Sequence, residues 1–229
     1  MCDKKAAHES QLYHGLSCVY DVVFSPLLTP GIHSTIRGLR IPRGARVLEV
    51  GVGTGISLSA YPQHAQVVAI DNSEPMLSRA AQYVQKKNWR HIELRQMNAL
   101  DLEFPDGTFD YVMAFHILTV VDDSQRLLQE IARVAKGGAT IAIINHLRTE
   151  SRLGAKVLNW LNPLTRRLGW QTTLKYSDVV EESPLKVVRR FKISPASPFT
   201  IIIAKQSAPR VPPMPAMTNF AVNAQTAAN

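Results

Sequence analysis

The stretch that decides the fold is Arg46–Ile56, Arg-Val-Leu-Glu-Val-Gly-Val-Gly-Thr-Gly-Ile. Val47, Leu48 and Val50 are apolar and mostly β-branched, as a buried strand requires. Glycine then recurs at every second position, Gly51, Gly53 and Gly55. A strand ending in such a loop leaves its backbone open to close approach by a ligand. Glu49 stands two residues before the first glycine. A dinucleotide fingerprint, G-x-G-x-x-G, would place its third glycine where Ile56 stands, so the pattern is a different one.

Outward from this loop the chain alternates. Gln66–Asn72 reads as a second buried strand that ends in an acid, Asp71. Its carboxylate falls at the carboxyl end of the strand, beside the glycine loop, where open α/β sheets bind ligands. The carboxylate can accept hydrogen bonds from two ribose hydroxyls. A capping role for Asp71 is disfavoured, because Ser73 and Glu74 are placed to cap the next helix. Ser73–Lys87 has Met76, Leu77, Ala80, Ala81 and Val84 at helical spacing. Ile92–Asn98 is a third strand, Phe104-Pro105-Asp106-Gly107 a turn, and Phe109–Leu118 a fourth strand running into a loop. Asp122–Lys136 reads as a helix closed by Gly137-Gly138, and Thr140–Asn145 as strand five. Val187–Ile193 and Phe199–Ala204 alternate like an antiparallel pair. Strands alternating with helices predict a parallel sheet covered on both faces.

The order of these motifs resembles the class I methyltransferases that use S-adenosylmethionine. The match runs through E-x-G-x-G-x-G, an acid after strand two, Asn98-Ala99-Leu100-Asp101, the F-D-x-V of strand four and the K-G-G before strand five. The resemblance implies a Rossmann-like α/β fold. It has a seven-stranded, mostly parallel sheet with one antiparallel strand and helices on both faces. It also implies that Gly51, Gly53, Thr54 and Gly55 lie under S-adenosylmethionine, with Glu49 beside its amino-acid portion. Asp71 and Asn72 would meet the ribose, and Met76, Asn98, Ala99 and Leu100 the adenine. Phe115, at the end of strand four, joins this cofactor set. A Tyr-Asp element ahead of the domain, here Tyr20-Asp21, often folds over the cofactor as a lid in that family.

A closer resemblance is carried by Val19–Pro26, Val47–Leu58, Tyr61-Pro62, Ser73–Leu77, Ile144-Asn145-His146 and Arg166–Trp170. These blocks look like those of the bacterial phosphatidylethanolamine N-methyltransferases. That family methylates a lipid amine, up to phosphatidylcholine, and its members are soluble or peripheral. Phe115-His116 departs from the blocks that carry the likeness. The other readings are a methyltransferase acting on a quinone or another small apolar molecule, and a protein that binds S-adenosylmethionine without turnover.

The amine must lose a proton before it can attack, and a near-neutral base such as His serves that need. His116 and His146 follow strands four and five, at the ligand edge of the sheet, and are the candidate bases. Tyr20 could assist through its hydroxyl or by cation–π contact. In 149–175, Leu153, Val157, Leu161, Leu164 and Leu168 form one helical stripe, with Trp160 and Trp170 beside it. Asn145, Lys156, Trp160, Arg166, Arg167 and Trp170 are the candidate substrate and membrane residues. A basic, tryptophan-bearing amphipathic helix suits an anionic membrane surface; cover of the protein's own core is the competing reading.

The 229 residues suit one domain. The expected division is an N-terminal lid over 1–45, the methyltransferase domain over 46–206 and a disordered tail over 207–229. No apolar run approaches the roughly 20 residues that span a bilayer. Cys2 and Cys18 form no disulfide framework, and no metal spacing is present. A cytoplasmic monomer, peripheral to the inner face of the membrane, is expected. The net charge of +8 favours an acidic partner. The scattered basic residues and the lack of a recognition motif argue against nucleic acid.

Overall fold

The computed structural model describes residues 28–145, 183–194, 197 and 199–207. Tyr20, His146 and the whole of 149–175, with Lys156, Trp160, Arg166, Arg167 and Trp170, lie outside the described residues, as do 208–229.

Seven strands form one sheet: β1 Arg46–Val50, β2 Gln66–Asp71, β3 Ile92–Gln96, β4 Phe109–Phe115, β5 Ala135–Asn145, β6 Leu185–Phe191 and β7 Thr200–Gln206. Their spatial order is β3-β2-β1-β4-β5-β7-β6. The first five are parallel, and β7 runs antiparallel to both of its neighbours. The described helices are α1 (28–38), α2 (Glu74–Lys87) and α3 (Ser124–Val134). Leu28, Ile32 and Ile36 of α1 and Leu77 and Ala80 of α2 join one apolar layer with Val47, Ala69, Met113 and Ile144. Leu127, Leu128 and Ile131 of α3 join the other, with Leu48, Ile70, Val112 and Ile143. Alternate strand residues therefore feed opposite layers, and the sheet is covered on both faces, as the alternating pattern predicts.

The boundaries differ from the expected ones where strand pairing outcompetes local signals. The helix ends at Val134, and Gly137-Gly138 do not close it. Ala135 is already extended and pairs with Phe109, while Gly107 and Thr108 donate backbone hydrogen bonds to the carbonyls of Arg133 and Val134. The glycines lie in the bulged part of β5, where the register slips between Phe109 and Tyr111. At its start α3 is capped by Asp123, whose carboxylate accepts from the Arg126 N–H at 2.8 Å. β4 stops at Phe115 because His116 turns to a positive φ of 59°.

No helix is described between β3 and β4. The loop there is held by Arg133 of α3, whose guanidinium donates to the carbonyls of Leu102 at 2.6 Å and Phe104 at 2.7 Å. The same fork reaches Asp106 and the buried Glu130, and Glu130 accepts from the Leu102 N–H at 2.9 Å. Hydrogen bonding to Arg133 holds the Glu130 carboxyl below the usual range, against a smaller effect of burial. Among the described residues, no helix is long and apolar enough to cross a membrane.

Candidate functional site

The carboxyl ends of β1, β2, β4 and β5 meet at one edge of the sheet. Gly51 and Val52 donate to the Ile70 carbonyl, at 2.8 and 2.9 Å, so the glycine loop is sewn to β2 as it leaves β1. The Asp71 carboxylate completes that seam. Its Oδ2 accepts from the Gly53 N–H at 2.8 Å and its Oδ1 from the Ser73 N–H at 2.9 Å. Burial pushes the Asp71 carboxyl up, and the backbone donors of Ser73, Gly53 and Asn72 pull it back. Ser73 stands at the N-cap position of α2 but makes no side-chain cap, and Asp71 takes the N–H of Ser73 itself, ahead of the helix. An ionised carboxylate has about four acceptor sites, so capacity for a further hydroxyl donor remains.

The three glycines have separate duties. A Cβ on Gly51 would sit 2.7 Å from the Ile117 side chain. One on Gly55 would sit 3.1 Å from the Ala80 Cβ and 3.3 Å from its Cα, so this glycine lets α2 pack against the loop. At Gly53 the same atom would meet only the Met76 sulfur, at 3.7 Å. Gly51 and Gly55 serve the protein's own packing, whereas Gly53 borders space that a ligand can use. The Met76 thioether forms a wall of that space.

Glu49 is 2% exposed and lies beneath the loop. Its Oε1 accepts from the Ser57 hydroxyl and its Oε2 from the Tyr61 hydroxyl, each at 2.7 Å. Burial pushes its carboxyl up to about 7; the two hydroxyl donors oppose the shift and the Asp71 charge adds to it. Burial and the adjacent carboxylate push the Tyr61 hydroxyl well above its usual range. Ser57 and Tyr61 flank the short 3-10 turn Leu58–Ala60. Both carboxylate oxygens are thus committed to fixing the segment after the loop. No periodicity marks these partners in the sequence; Ser57, in Val47–Leu58, and Tyr61, in Tyr61-Pro62, belong to the blocks that carry the family likeness.

The remaining cofactor candidates converge on the same edge. The Met97 N–H donates to the Asp71 carbonyl at 3.1 Å, bringing the Asn98-Ala99-Leu100 turn against β2. The Asn98 side chain closes that turn by accepting from the Leu100 N–H at 2.9 Å. Asn72, with its carbonyl held by Gln96, is exposed beside Asp71. Thr54 is buried within the loop, and Phe115 is buried at the end of β4. His33 of α1 lies 3.0 Å from the Ile56 carbonyl and ties the first helix to the loop. Next to Phe115, His116 holds its left-handed backbone and packs its ring edge-to-face on Phe199 at 4.7 Å. A β-strand neighbour, Asn145, ends β5 and is fully buried. Among the described residues, no cluster of metal-ligating side chains occurs. Open backbone at Gly53, a partly exposed carboxylate at Asp71 and a thioether wall at Met76 fit an adenosyl cofactor.

A family model described as a methyltransferase domain matches residues 48–143. The chain is 40% identical over 161 residues to a phosphatidylethanolamine N-methyltransferase of Cereibacter sphaeroides, covering 70% of this chain and 79% of that protein. It is 37% identical over 131 residues to a demethylmenaquinone methyltransferase of Bacillus licheniformis, covering 56% and 55%. A solved SAM-dependent methyltransferase from Aquifex aeolicus shares the fold, with a TM-score of 0.62 at 21% identity, over 84% of this chain and 97% of that one. Together with the glycine loop and Asp71, these likenesses make the protein an enzyme whose cofactor is S-adenosylmethionine. The chain belongs to the bacterial phosphatidylethanolamine N-methyltransferase family of the class I S-adenosylmethionine-dependent methyltransferases.

Proposed function

We propose that this methyltransferase acts on the amine of phosphatidylethanolamine and of its methylated intermediates, towards phosphatidylcholine, at an anionic membrane surface. The observation that carries the reading is the 40% identity to a protein of that activity across 79% of its length. The second reading, methylation of a quinone, is favoured by the 37% identity to a demethylmenaquinone methyltransferase, although that match covers only 55% of the relative.

Bound at the loop, S-adenosylmethionine supplies an electrophilic methyl group. The chain has three tasks. Gly53, Asp71 and Met76 hold the cofactor, and Glu49 keeps the loop in shape through Ser57 and Tyr61. Positioning the two reactants can lower the barrier by ~7–11 kcal/mol. A base takes the proton of the substrate ammonium, because only the neutral amine has a lone pair to give. His116 stands at the end of β4, two strands from β2 and Asp71, and takes that role. Its left-handed backbone is a strained conformation of the kind that collects at functional sites.

The test is incubation with methyl-labelled S-adenosylmethionine and vesicles carrying either phosphatidylethanolamine or a demethylated quinone kept reduced as its quinol. Label in mono-, di- or trimethylated lipid supports the reading. Label confined to the quinone overturns it in favour of the second. With the lipid substrate, rate should rise between pH 6 and 9 as the amine deprotonates. His116→Ala should lose rate near neutral pH and regain part of it at high pH. An equal loss at every pH would remove His116 from the role of base.

A further inference from the structure

Asn145 is the last residue of β5 and is 0% exposed. Its Oδ1 and Nδ2 are both shut off from solvent, and neither has a hydrogen-bond partner among the described residues. A buried amide with no partner is rare in a native fold and costs stability, so its persistence asks for a reason. Packing does not supply one, because an apolar side chain of the same shape would fill the space without the cost.

Its position supplies one. The register pairs Asn145 with the buried Thr200 of β7 and pairs the preceding Ile144 with Phe115. The His116 N–H donates to the Ile144 carbonyl at 2.7 Å, and the His116 ring packs on Phe199, one residue from Thr200. Asn145 therefore sits beside the candidate base, at the sheet edge that holds the glycine loop and Asp71. Strand alternation puts it on the same face as Ile141 and Ile143.

An amide offers one acceptor oxygen and one donor nitrogen. A group that satisfies both needs an N–H and an acceptor oxygen close together. A phosphoethanolamine headgroup carries both, an amine N–H and a phosphate oxygen joined by a two-carbon linker. We infer that Asn145 is a substrate-recognition residue whose Oδ1 accepts an N–H of the headgroup amine and whose Nδ2 donates to its phosphate. This rests on the phosphatidylethanolamine reading above. Both atoms are closed off here, so contact with the headgroup requires them to become accessible.

The inference has a stepwise consequence. A neutral primary amine carries two N–H bonds, the monomethyl amine one and the dimethyl amine none. Recognition through Oδ1 therefore serves the first two methyl transfers and not the third. Asn145→Leu keeps the shape and removes both polar atoms. The full chain and this variant are assayed separately on vesicles containing phosphatidylethanolamine, its monomethyl derivative or its dimethyl derivative. The variant should lose about tenfold or more in kcat/KM on the first two lipids, where the amine and phosphate hydrogen bonds both go, and clearly less on the third, where only the phosphate bond is lost. Its melting temperature should match or exceed the parent's. An equal loss on all three lipids, or no loss on any, overturns the inference and leaves the phosphatidylethanolamine reading standing. A parent chain that methylates none of the three overturns both. Should Asn145→Leu fail to fold, Asn145→Ser is read in the same assays against the same outcomes.

Discussion

Glu49 holds a carboxylate where the sheet is driest, between two hydroxyls that each donate at 2.7 Å. Burial outweighs those donors and lifts its pKa to about 7 from the ordinary 4.5. The folded state therefore keeps a proton that the unfolded state releases, and ionising Glu49 destabilises the fold. That loss is absent below about pH 4.5, grows through the window up to pH 7 and is complete above it. At 1.36 kcal/mol per unit its ceiling is about 3 kcal/mol. Glu49→Gln removes the titration and can still meet both hydroxyls, accepting from one and donating to the other. Chemical denaturation across pH 4.5–8 should show a flatter stability profile for the variant than for the parent, with the largest gain at pH 8. Parallel profiles for the two proteins would show that Glu49 does not titrate in this window. The buried Glu130 behaves in the opposite sense, since Arg133 holds its carboxyl down.

The glycine loop shows how one element divides structural and binding duties. Gly55 has a φ of +86°, and a Cβ there would press on the Leu58 side chain at 2.9 Å and on Ala80 at 3.1 and 3.3 Å, so Gly55→Ala makes its neighbours give by a few tenths of an ångström. Overpacking of that kind costs about 1–3 kcal/mol, and the left-handed backbone adds to it. Gly53 has a φ of +56° and an open side towards Met76. Gly53→Ala should lose only the ~1–2 kcal/mol of the left-handed conformation but should weaken S-adenosylmethionine binding, because the added methyl enters the cofactor's space. Denaturation and calorimetry on the two variants separate the effects. A Gly53→Ala protein that binds cofactor as tightly as the parent would take this glycine out of the binding surface.

At the scale of the whole molecule, charge decides how the protein would meet the lipid amine proposed as its substrate. The chain carries +8, and β6, at the end of the sheet, presents Lys186, Arg189 and Arg190 to solvent. Each Lys or Arg brought to an anionic surface contributes about 1 kcal/mol, screened by salt. The proposed membrane role predicts sedimentation with anionic vesicles at low salt and much less with zwitterionic ones. Replacing Lys156, Arg166 and Arg167 by Gln should weaken that binding while leaving cofactor affinity intact. Equal vesicle binding by the triple variant would exclude the 149–175 segment as the contact.

Local pattern was enough for much of this protein. Apolar runs of period two and stripes of period 3.6 are properties of neighbouring residues, so the alternation of strands and helices, the glycine loop after β1 and the acid after β2 were legible in the sequence. The antiparallel final pair was legible too, though each of its strands sits about two residues from the expected place. Tertiary structure decided what depends on residues far apart in the chain. Pairing with β4 drew Ala135 into a strand and overrode Gly137-Gly138 as a helix stop. The Gly53 N–H drew Asp71 across 18 positions, giving the acid a structural duty that no local pattern records. Ser57 and Tyr61 became partners of Glu49 only because the chain turns back over β1. The isolation of the Asn145 amide likewise appears in no pattern of spacing. Periodicity records which face a residue takes; which polar groups lie opposite it, and whether water reaches them, follows from the packing of distant segments.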